Sequence, residues 1–484
     1  MTGAVVTGPA LEDPTQLGRL TDGGTPFVLR GGTVLTLDPE RGMLGSGDVL
    51  VRDGKIAAVA PQLADVPSDA IVVDVRDCIV MPGFVDGHRH CWQGSLRRLA
   101  VDADLAEYLA ITHDGVARHY RPDDMYVGNT VALTGALDAG FTTVLDLSHN
   151  TRSKAHADAV FAAYRDVGIR AVHASAPPNA YEWEEHWPDD LVRLREAADA
   201  DPLVTLRMAI DMRRVRPVEE LMGIARSLGL AITMDGVMGP GSAEELVSLG
   251  EQGLLGPDVT LVHATALSEA AWEHIERAGV RIVLATTSDE QLSLAGGVPP
   301  IQRALDTGHK PGLSVDVEIC LAGDAFTQMR ATLLSQRMLA VMRSRAGEGD
   351  SKLLSNADVL EMATMSGARA LGLEDRVGSV TVGKEADLLV VHAQGVGSLP
   401  GGNPVGVVVQ GVDRSEIRAV FVAGRLRKWD GQVLGVDVTD LRTRAEASRD
   451  HVLTSAGFRL GPDGPEGVPE LQDSWLSEYF TSHD

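Results

Sequence analysis

The chain has 484 residues, of which 44% are hydrophobic, and a formal net charge of −25. Such an acidic protein is not expected to bind nucleic acid, which normally requires a basic surface. Its cysteines, Cys78, Cys91 and Cys320, are widely spaced and odd in number, so we expect no disulfide framework and a reducing, cytoplasmic location. No apolar stretch approaches the roughly 20 residues of a membrane span, and the N-terminal residues lack the basic start and apolar core of a signal peptide.

Short β-strands are predicted near both ends of the chain. Residues 27–37 and 48–59 are apolar runs with an Asp53-Gly54 hairpin turn, and residues 386–391 and 417–425 repeat the pattern. Strands from the two ends can pair in one domain that the central sequence interrupts. The sequence therefore predicts a small β-sandwich built from residues 1–74 and 386–440, followed by a tail at 441–484.

The central region, residues 75–385, alternates helical segments with continuous apolar strands that often follow a glycine. This alternation is typical of a parallel α/β structure. Eight such units can be counted, which favours a closed (β/α)8 TIM barrel over an open sheet. In such barrels the active site is built at the carboxyl ends of the strands. The polar residues predicted at those ends are His88, His90, Asp146, His173, Asp211, Asp235, His263 and Asp316.

The segment 82–90 places two histidines at the end of the first predicted barrel strand. Alternation along a strand turns His88 and His90 to one face and Arg89 to the other. Two imidazoles on a rigid strand end are well placed to bind a divalent metal ion. A histidine pair of this spacing is common by chance, so the other strand ends must supply the remaining ligands.

Taken in order, these segments resemble the amidohydrolase superfamily, specifically the branch of cyclic-amidine deaminases and chlorohydrolases. The resemblance extends over nearly the whole chain and includes residues 82–90, 140–146, 362–372 and 378–388, together with His263 and Asp316. It implies a catalytic (β/α)8 barrel. It also implies a hydrolase that uses a metal-activated water to cleave a non-peptide C–N bond in a small cyclic or aromatic molecule.

By position, the resemblance assigns His88, His90 and Asp316 as ligands of one zinc or iron ion. His263 would be a further ligand or would polarise the substrate, and Asp316 would also accept a proton from the attacking water. Residues near the same strand ends are expected to contact the substrate: Trp92, Gln93, His149, His173 and Asp289.

The sequence departs from the family at the fifth strand, where a histidine and, three residues later, a glutamate are expected. Met234 and Val237 occupy those positions. Methionine is a poor ligand for zinc or ferrous iron, and valine cannot transfer a proton. Asp235 is adjacent, but alternation along the strand is expected to turn it to the opposite face. The metal is therefore either held by the remaining ligands or weakened or lost.

Three functions remain open from the sequence. The first is the hydrolase. The second is a metal-independent acid/base enzyme, such as a lyase, dehydratase or isomerase, with His263 and Asp316 as the working pair. The third is a non-catalytic barrel that binds a ligand. Each involves a small molecule, and we also expect a homo-oligomer, a dimer, in which the tail could pack on the partner subunit.

Overall fold

The computed structural model describes residues 10–11, 13–177, 187–211 and 216–469. Eight parallel strands follow one another in chain order within a single sheet, and they are called the first to the eighth barrel strands below. They are Phe84–Arg89, Phe141–Ser148, Arg170–Ser175, Val204–Ile210, Ile232–Met238, Val259–Thr265, Arg281–Leu284 and Gly312–Leu313.

Asp316, three residues after the eighth strand, links that end of the sheet to the first strand and so closes the ring of strands. Its backbone N–H donates to the carbonyl of His88 at 3.0 Å, and its carbonyl accepts from the N–H of His90 at 3.1 Å. These bonds lie at the carboxyl end of the first strand, so the same backbone contacts that join the barrel ends also position residues of the expected site. The predicted (β/α)8 barrel is confirmed.

Helices cover the outside of the barrel and its mouth. The helix Glu269–Ala278 illustrates why they form where they do. Ser268 caps its N-terminus by accepting from the N–H of Ala271, Gly279 ends it at a φ of 65°, and Trp272 and Ile275 face the core. The helices of this region are Leu105–Ile111, Pro122–Asp138, Lys154–Val167, Leu191–Asp199, Val218–Ser227, Gly239–Glu251, Glu269–Ala278, Thr286–Gln291, Ile301–Asp306, Ala325–Ala346, Asn356–Glu361 and Gly367–Leu371.

A ten-stranded mixed sheet is assembled from both ends of the chain. Its two parts are joined by the antiparallel pairing of Cys78–Pro82 with Leu388–His392. The rings of Phe27 and Phe421 stack at 4.7 Å inside its separate apolar core. This confirms the predicted domain built from both termini. Its strands are Ala10–Leu11, Phe27–Leu35, Met43–Arg52, Lys55–Ala60, Ile71–Asp74, Cys78–Pro82, Leu388–His392, Ile417–Val422, Arg425–Trp429 and Gln432–Val433.

Two features lie across the domain boundaries expected from the sequence. The strand Cys78–Pro82 belongs to the mixed sheet, although residues 75–385 were assigned to the barrel. The helix Val438–Ser455 runs across the expected start of the tail at 441, and residues 470–484 of that tail lie outside the described residues. Among the described residues, no helix combines the length and apolar character of a membrane span.

Candidate active site

Five side chains from four strand ends, those of the first, fifth, sixth and eighth strands, meet at the carboxyl-terminal mouth of the barrel. We call His88, His90, Asp235, His263 and Asp316 the mouth cluster. Each is at most 9% exposed. A buried group of three imidazoles and two carboxylates is costly to desolvate, so such a cluster requires mutual pairing or a bound ion.

The two histidines of the first strand and Asp316 form the tightest part of the mouth cluster. The Nε2 atoms of His88 and His90 are 3.2 Å apart. Both approach Oδ1 of Asp316, at 3.1 Å from His88 and 3.2 Å from His90. The second oxygen of Asp316 accepts a hydrogen bond from the hydroxyl of Ser288, and the backbone of Asp316 has a φ of 66°. This left-handed backbone is a strained conformation of the kind found at functional sites.

Asp235 belongs to the mouth cluster, which corrects the expectation that alternation would turn it away. Its Oδ1 lies 3.5 Å from Nε2 of His88, and its Oδ2 lies 3.5 Å from Nε2 of His90. Met234 instead packs in the apolar core between the barrel and its helices. The register with the sixth strand is interrupted between Met234 and Val237, and Gly236 has a φ of 65°. The residue that faces the mouth on the fifth strand is therefore the aspartate.

This register also moves the position that the family's glutamate would occupy. Three residues after Asp235 stands Met238, a buried apolar side chain at the end of the fifth strand. Val237 is likewise buried in the apolar core. The glutamate is therefore absent in either register, and no side chain at that position can transfer a proton.

His263, on the sixth strand, is held by a carboxylate on each side of its ring. Its Nδ1 lies 2.7 Å from Oδ1 of Asp289, and its Nε2 lies 3.4 Å from Oδ1 of Asp235 and 3.8 Å from Oδ2 of Asp316. Asp289 is fully buried on the short helix Thr286–Gln291. His263 also has a left-handed φ of 71°. The ring is therefore fixed in one orientation, with Nε2 towards the centre of the cluster.

The mutual charges of the mouth cluster alter its pKa values. Burial raises the pKa of the Asp235 carboxyl, but the nearby His88, His263 and His90 outweigh it, so the pKa lies below its ordinary value. Burial lowers the pKa of His88, yet Asp235 and Asp316 reverse the shift and raise it. For His90, burial and the neighbouring His149 lower the pKa. The site thus favours anionic carboxylates facing imidazoles.

The geometry of the mouth cluster fits a divalent metal ion. Ligands held at about 2.0–2.1 Å from a zinc ion in tetrahedral geometry are about 3.3 Å from one another. The distances among His88, His90, Asp235 and Asp316 given above lie around this value. Two imidazole nitrogens lie 3.2 Å apart and both approach one carboxylate oxygen, so a single cation between them could bind all three atoms. The residues present therefore match the donor set of a divalent cation.

Three residues expected to contact the substrate line the wall beside the first strand. Gln93 donates from Nε2 to the hydroxyl of Tyr108 at 2.7 Å. The ring of His149 stacks on that of His90, with centroids 4.6 Å apart, and the indole of Trp92 lies 5.7 Å from His149. All are buried, so this wall is aromatic and preformed.

His173 lies apart from these residues. Its ring packs on Phe161, and its Nδ1 lies 2.8 Å from the hydroxyl of Tyr164, which itself donates to Asp146. Phe161 and Tyr164 belong to the helix Lys154–Val167, so His173 faces the layer between the barrel and its helices. Contact between His173 and a substrate remains only a prediction.

Other residues near the mouth were not predicted as site residues. Tyr108 and His113 come from the segment between the first strand and the helix Pro122–Asp138, and both are buried. Asp211, which follows the fourth strand, binds His149 at 2.8 Å. The place of Asp211 at a strand end indicated a position near the site. For His113 the sequence suggested a lid segment but favoured exposure at the surface, which the structure corrects. A cavity of about 620 Å³ opens beside these segments, lined in part by Asp104, Gly239 and Leu292.

Comparison with known proteins identifies the family. The model of the amidohydrolase family matches residues 79–413. The chain belongs to the amidohydrolase family. The predicted recognition and the enzyme class, a hydrolase of non-peptide C–N bonds, are confirmed.

Similar proteins and structures agree with this assignment. A 5-methylthioadenosine/S-adenosylhomocysteine deaminase of Syntrophobacter fumaroxidans is 28% identical over 435 residues, covering 86% of this chain and 96% of that protein. A 5'-deoxyadenosine deaminase of Methanosarcina barkeri is 24% identical, covering 88% and 98%. Among solved structures, a zinc-bound adenosine deaminase from Xanthomonas campestris has a TM-score of 0.76 at 24% identity, covering 89% of this chain and 99% of that one. A zinc-bound atrazine chlorohydrolase variant from Arthrobacter aurescens has a TM-score of 0.74 at 22% identity, covering 87% and 99%.

Proposed function

We propose that this amidohydrolase is a zinc-dependent deaminase that cleaves the exocyclic C–N bond of an aminopurine nucleoside or a similar amino-substituted heterocycle. The observation that carries the proposal is the convergence of His88, His90, Asp235 and Asp316, with imidazole and carboxylate atoms 3.1–3.5 Å apart. The substrate class is supported by the relatives, which are deaminases of 5-methylthioadenosine, S-adenosylhomocysteine and 5'-deoxyadenosine.

In this proposal His88, His90, Asp235 and Asp316 hold the metal. When bound, a divalent cation at such a site lowers the pKa of water, so that water can attack near neutral pH. Asp235 takes the place of the fifth-strand histidine of the family and adds a negative charge to the metal ligands. Carboxylate oxygen is an accepted zinc ligand at about 2.0–2.2 Å, so the exchange keeps the donor count while making the site more anionic.

The protein's own groups move the protons. Asp316 accepts a proton from the attacking water, whose oxygen forms a bond to the ring carbon that carries the amino group. His263 directs Nε2 towards that carbon and stabilises the charge that develops there, since Asp289 holds its Nδ1 at 2.7 Å. The C–N bond then breaks, and the leaving nitrogen takes up a proton and departs as ammonia.

The proton for the leaving nitrogen must come from a group other than the glutamate that the family uses. Met238 occupies the position three residues after Asp235, so Asp316 has to return the proton that it accepted. The same observation favours a second candidate function. A leaving group that departs as an anion, such as chloride, needs no proton, and hydrolytic displacement of such a group would not require the glutamate.

A panel of substrates separates the two candidates. Release of ammonia from adenosine-type nucleosides and aminotriazines would be measured beside release of chloride from chlorotriazines, with zinc-loaded enzyme. Turnover of an amino compound that falls at least about 100-fold in Asp316→Asn supports the deaminase. Asp199, whose side chain is 74% exposed, provides the matched control Asp199→Asn. Chloride release without ammonia release would reject the deaminase in favour of the second candidate.

We also propose a homodimer located in the cytoplasm, as the sequence led us to expect. Exposed apolar side chains on one face of the helix Ala325–Ala346 support the dimer. They are Leu334, Met338, Val341 and Met342, which are 48–66% exposed. Light scattering on the purified protein tests this proposal, because a monomer at micromolar concentration contradicts it.

A further inference from the structure

A second group of metal-ligating side chains lies directly beside the mouth cluster. We call His113, His149 and Asp211 the flanking cluster. One candidate ligand atom from each of the three lies within 4.8 Å of those of the other two. The rings of His113 and His149 meet edge to face with centroids 4.9 Å apart. We propose that the flanking cluster binds a second divalent cation of the zinc type.

The three residues reach this point from separate elements. His149 follows the second barrel strand, and Asp211 follows the fourth. His113 lies in a single π-helical turn, Thr112–Val116, which directly follows the helix Leu105–Ile111. Such turns are uncommon and occur frequently at functional sites. Because two of the three positions sit at the ends of barrel strands, the flanking cluster is anchored on the rigid part of the fold.

The hydrogen bonds of His113 fix its ring in the form that a metal ligand requires. The hydroxyl of Thr112 donates to the carbonyl of Tyr108 at 2.7 Å, so its oxygen must accept from Nδ1 of His113, which lies 2.7 Å away. The proton of the neutral ring is therefore on Nδ1 and the lone pair is on Nε2. In metal-ligating histidines, the ring nitrogen that does not bind the metal usually donates its proton to a neighbouring acceptor, as Nδ1 of His113 does here.

His149 and Asp211 offer two ligand atoms that lie side by side. Nδ1 of His149 lies 2.8 Å from Oδ2 of Asp211. Neighbouring ligands of a tetrahedral zinc ion are about 3.3 Å apart, so both atoms can bind one ion after a small adjustment. That ion would replace the proton that the two atoms share.

The chemistry of the flanking cluster favours a borderline divalent ion. Two imidazole nitrogens and one carboxylate form a ligand set of known catalytic zinc sites. His149 stacks on His90 of the mouth cluster, with centroids 4.6 Å apart and ring planes 27° apart, so the second ion would adjoin the first. This inference concerns residues other than the metal ligands of the proposed function, and either can fail without the other.

The experiment counts metal ions per chain. Full-length protein is stripped with a chelator, reloaded with zinc, desalted and analysed by mass spectrometry, and diffraction at the zinc edge locates the ions. We expect two equivalents and two anomalous peaks, one in each cluster. His113→Gln and Asp211→Asn should each retain one equivalent, at the mouth cluster. His119, six residues along the same segment, gives the control His119→Gln, which should retain two.

Wild-type protein that binds one zinc, seen only at the mouth cluster, overturns this inference and leaves the proposed function intact. Two equivalents with the second peak elsewhere on the molecule overturn it as well. One zinc at the flanking cluster with none at the mouth cluster supports the inference and contradicts the proposed function. Because the wild-type count and the anomalous peaks decide the matter, a variant that fails to fold does not prevent a result.

Discussion

Asp289 and His263 form a buried pair, in which a carboxylate oxygen lies 2.7 Å from Nδ1 of the imidazole. We expect Asp289 to act as a positioning residue that keeps the proton on Nδ1 and aims Nε2 at the mouth cluster. Asp289→Asn should lower kcat by about 10- to 100-fold, as is typical when the outer partner of a site histidine is removed. KM and zinc content should change little, since neither depends directly on this bond.

The neighbouring Glu290 supplies the control for this prediction. It lies on the same short helix but is exposed, and it pairs with Ser335 outside the site. Glu290→Gln should keep the wild-type kcat. Steady-state kinetics and zinc analysis on both variants decide the point. A wild-type kcat in Asp289→Asn would mean that the orientation of His263 does not limit the reaction.

The fifth strand allows a direct test of which residue faces the metal. Asp235→Asn keeps the size of the side chain but removes its charge, so zinc affinity should fall by more than the roughly 10- to 100-fold usual for an outer partner. Met234→Leu changes the adjacent position, whose side chain packs in the apolar core, and should leave zinc affinity unchanged. Competition against a chromophoric chelator measures both. If Met234→Leu lowers zinc affinity and Asp235→Asn does not, then Met234 faces the metal, as the sequence led us to expect.

The orientation of the fifth strand was expected wrongly because Met234 was placed by the position of the family's histidine. The strand itself alternates as Ile232-Thr233-Met234-Asp235, so Ile232 and Met234 face the apolar core and Asp235 shares the opposite face with Thr233. The pattern of glycines and apolar runs predicted the barrel and the two-ended sheet, because both depend on local sequence. The places of His88, His90 and Asp316 at the barrel mouth were also predictable, since the two histidines end the first strand and Asp316 follows the eighth.

The contacts that the sequence did not reveal are long-range. Asp289 was expected to touch substrate, yet its closest described partner is His263, 26 residues earlier, on another strand. His113 reaches the mouth only because its segment folds back across the barrel. Pairings of this kind depend on how loops pack in three dimensions, which neither periodicity nor spacing records.

A buried ion pair joins the barrel to the mixed sheet. Arg170, on the third strand, binds Asp387 at 2.9 Å and 3.1 Å, and both side chains are at most 1% exposed. Asp387 also accepts from the N–H of Ala423 at 2.8 Å. Arg170 also pairs with Glu385, so Asp387→Asn removes one of its two carboxylate partners and should lower the free energy of unfolding by about 1–3 kcal/mol.

An exposed pair serves as the comparison. Arg449 and Asp450 lie 2.8 Å apart on the helix Val438–Ser455, where the Asp450 side chain is 61% exposed. Asp450→Asn should change the stability by less than about 1 kcal/mol, because solvent screens the pair. Denaturant unfolding followed by circular dichroism compares the two variants. Equal, small effects would show that the contact between the domains does not depend on the Arg170 pair.

The stability of the protein should fall in acid partly because of His173. Burial lowers the pKa of this residue from its ordinary value to about 3. The unfolded chain therefore takes up a proton near pH 6.5, whereas the folded protein does not do so until about pH 3. Since the unfolded state binds more protons in this interval, the free energy of unfolding decreases as the pH falls through it.

The variant His173→Asn retains a donor for Tyr164 but cannot titrate. It should be less stable near neutral pH, because the smaller side chain leaves a gap beside Phe161, yet it should lose less stability between pH 6.5 and pH 4 than the wild type. Denaturant titrations at several pH values give the two slopes, and parallel slopes would contradict the assignment of this acid sensitivity to His173.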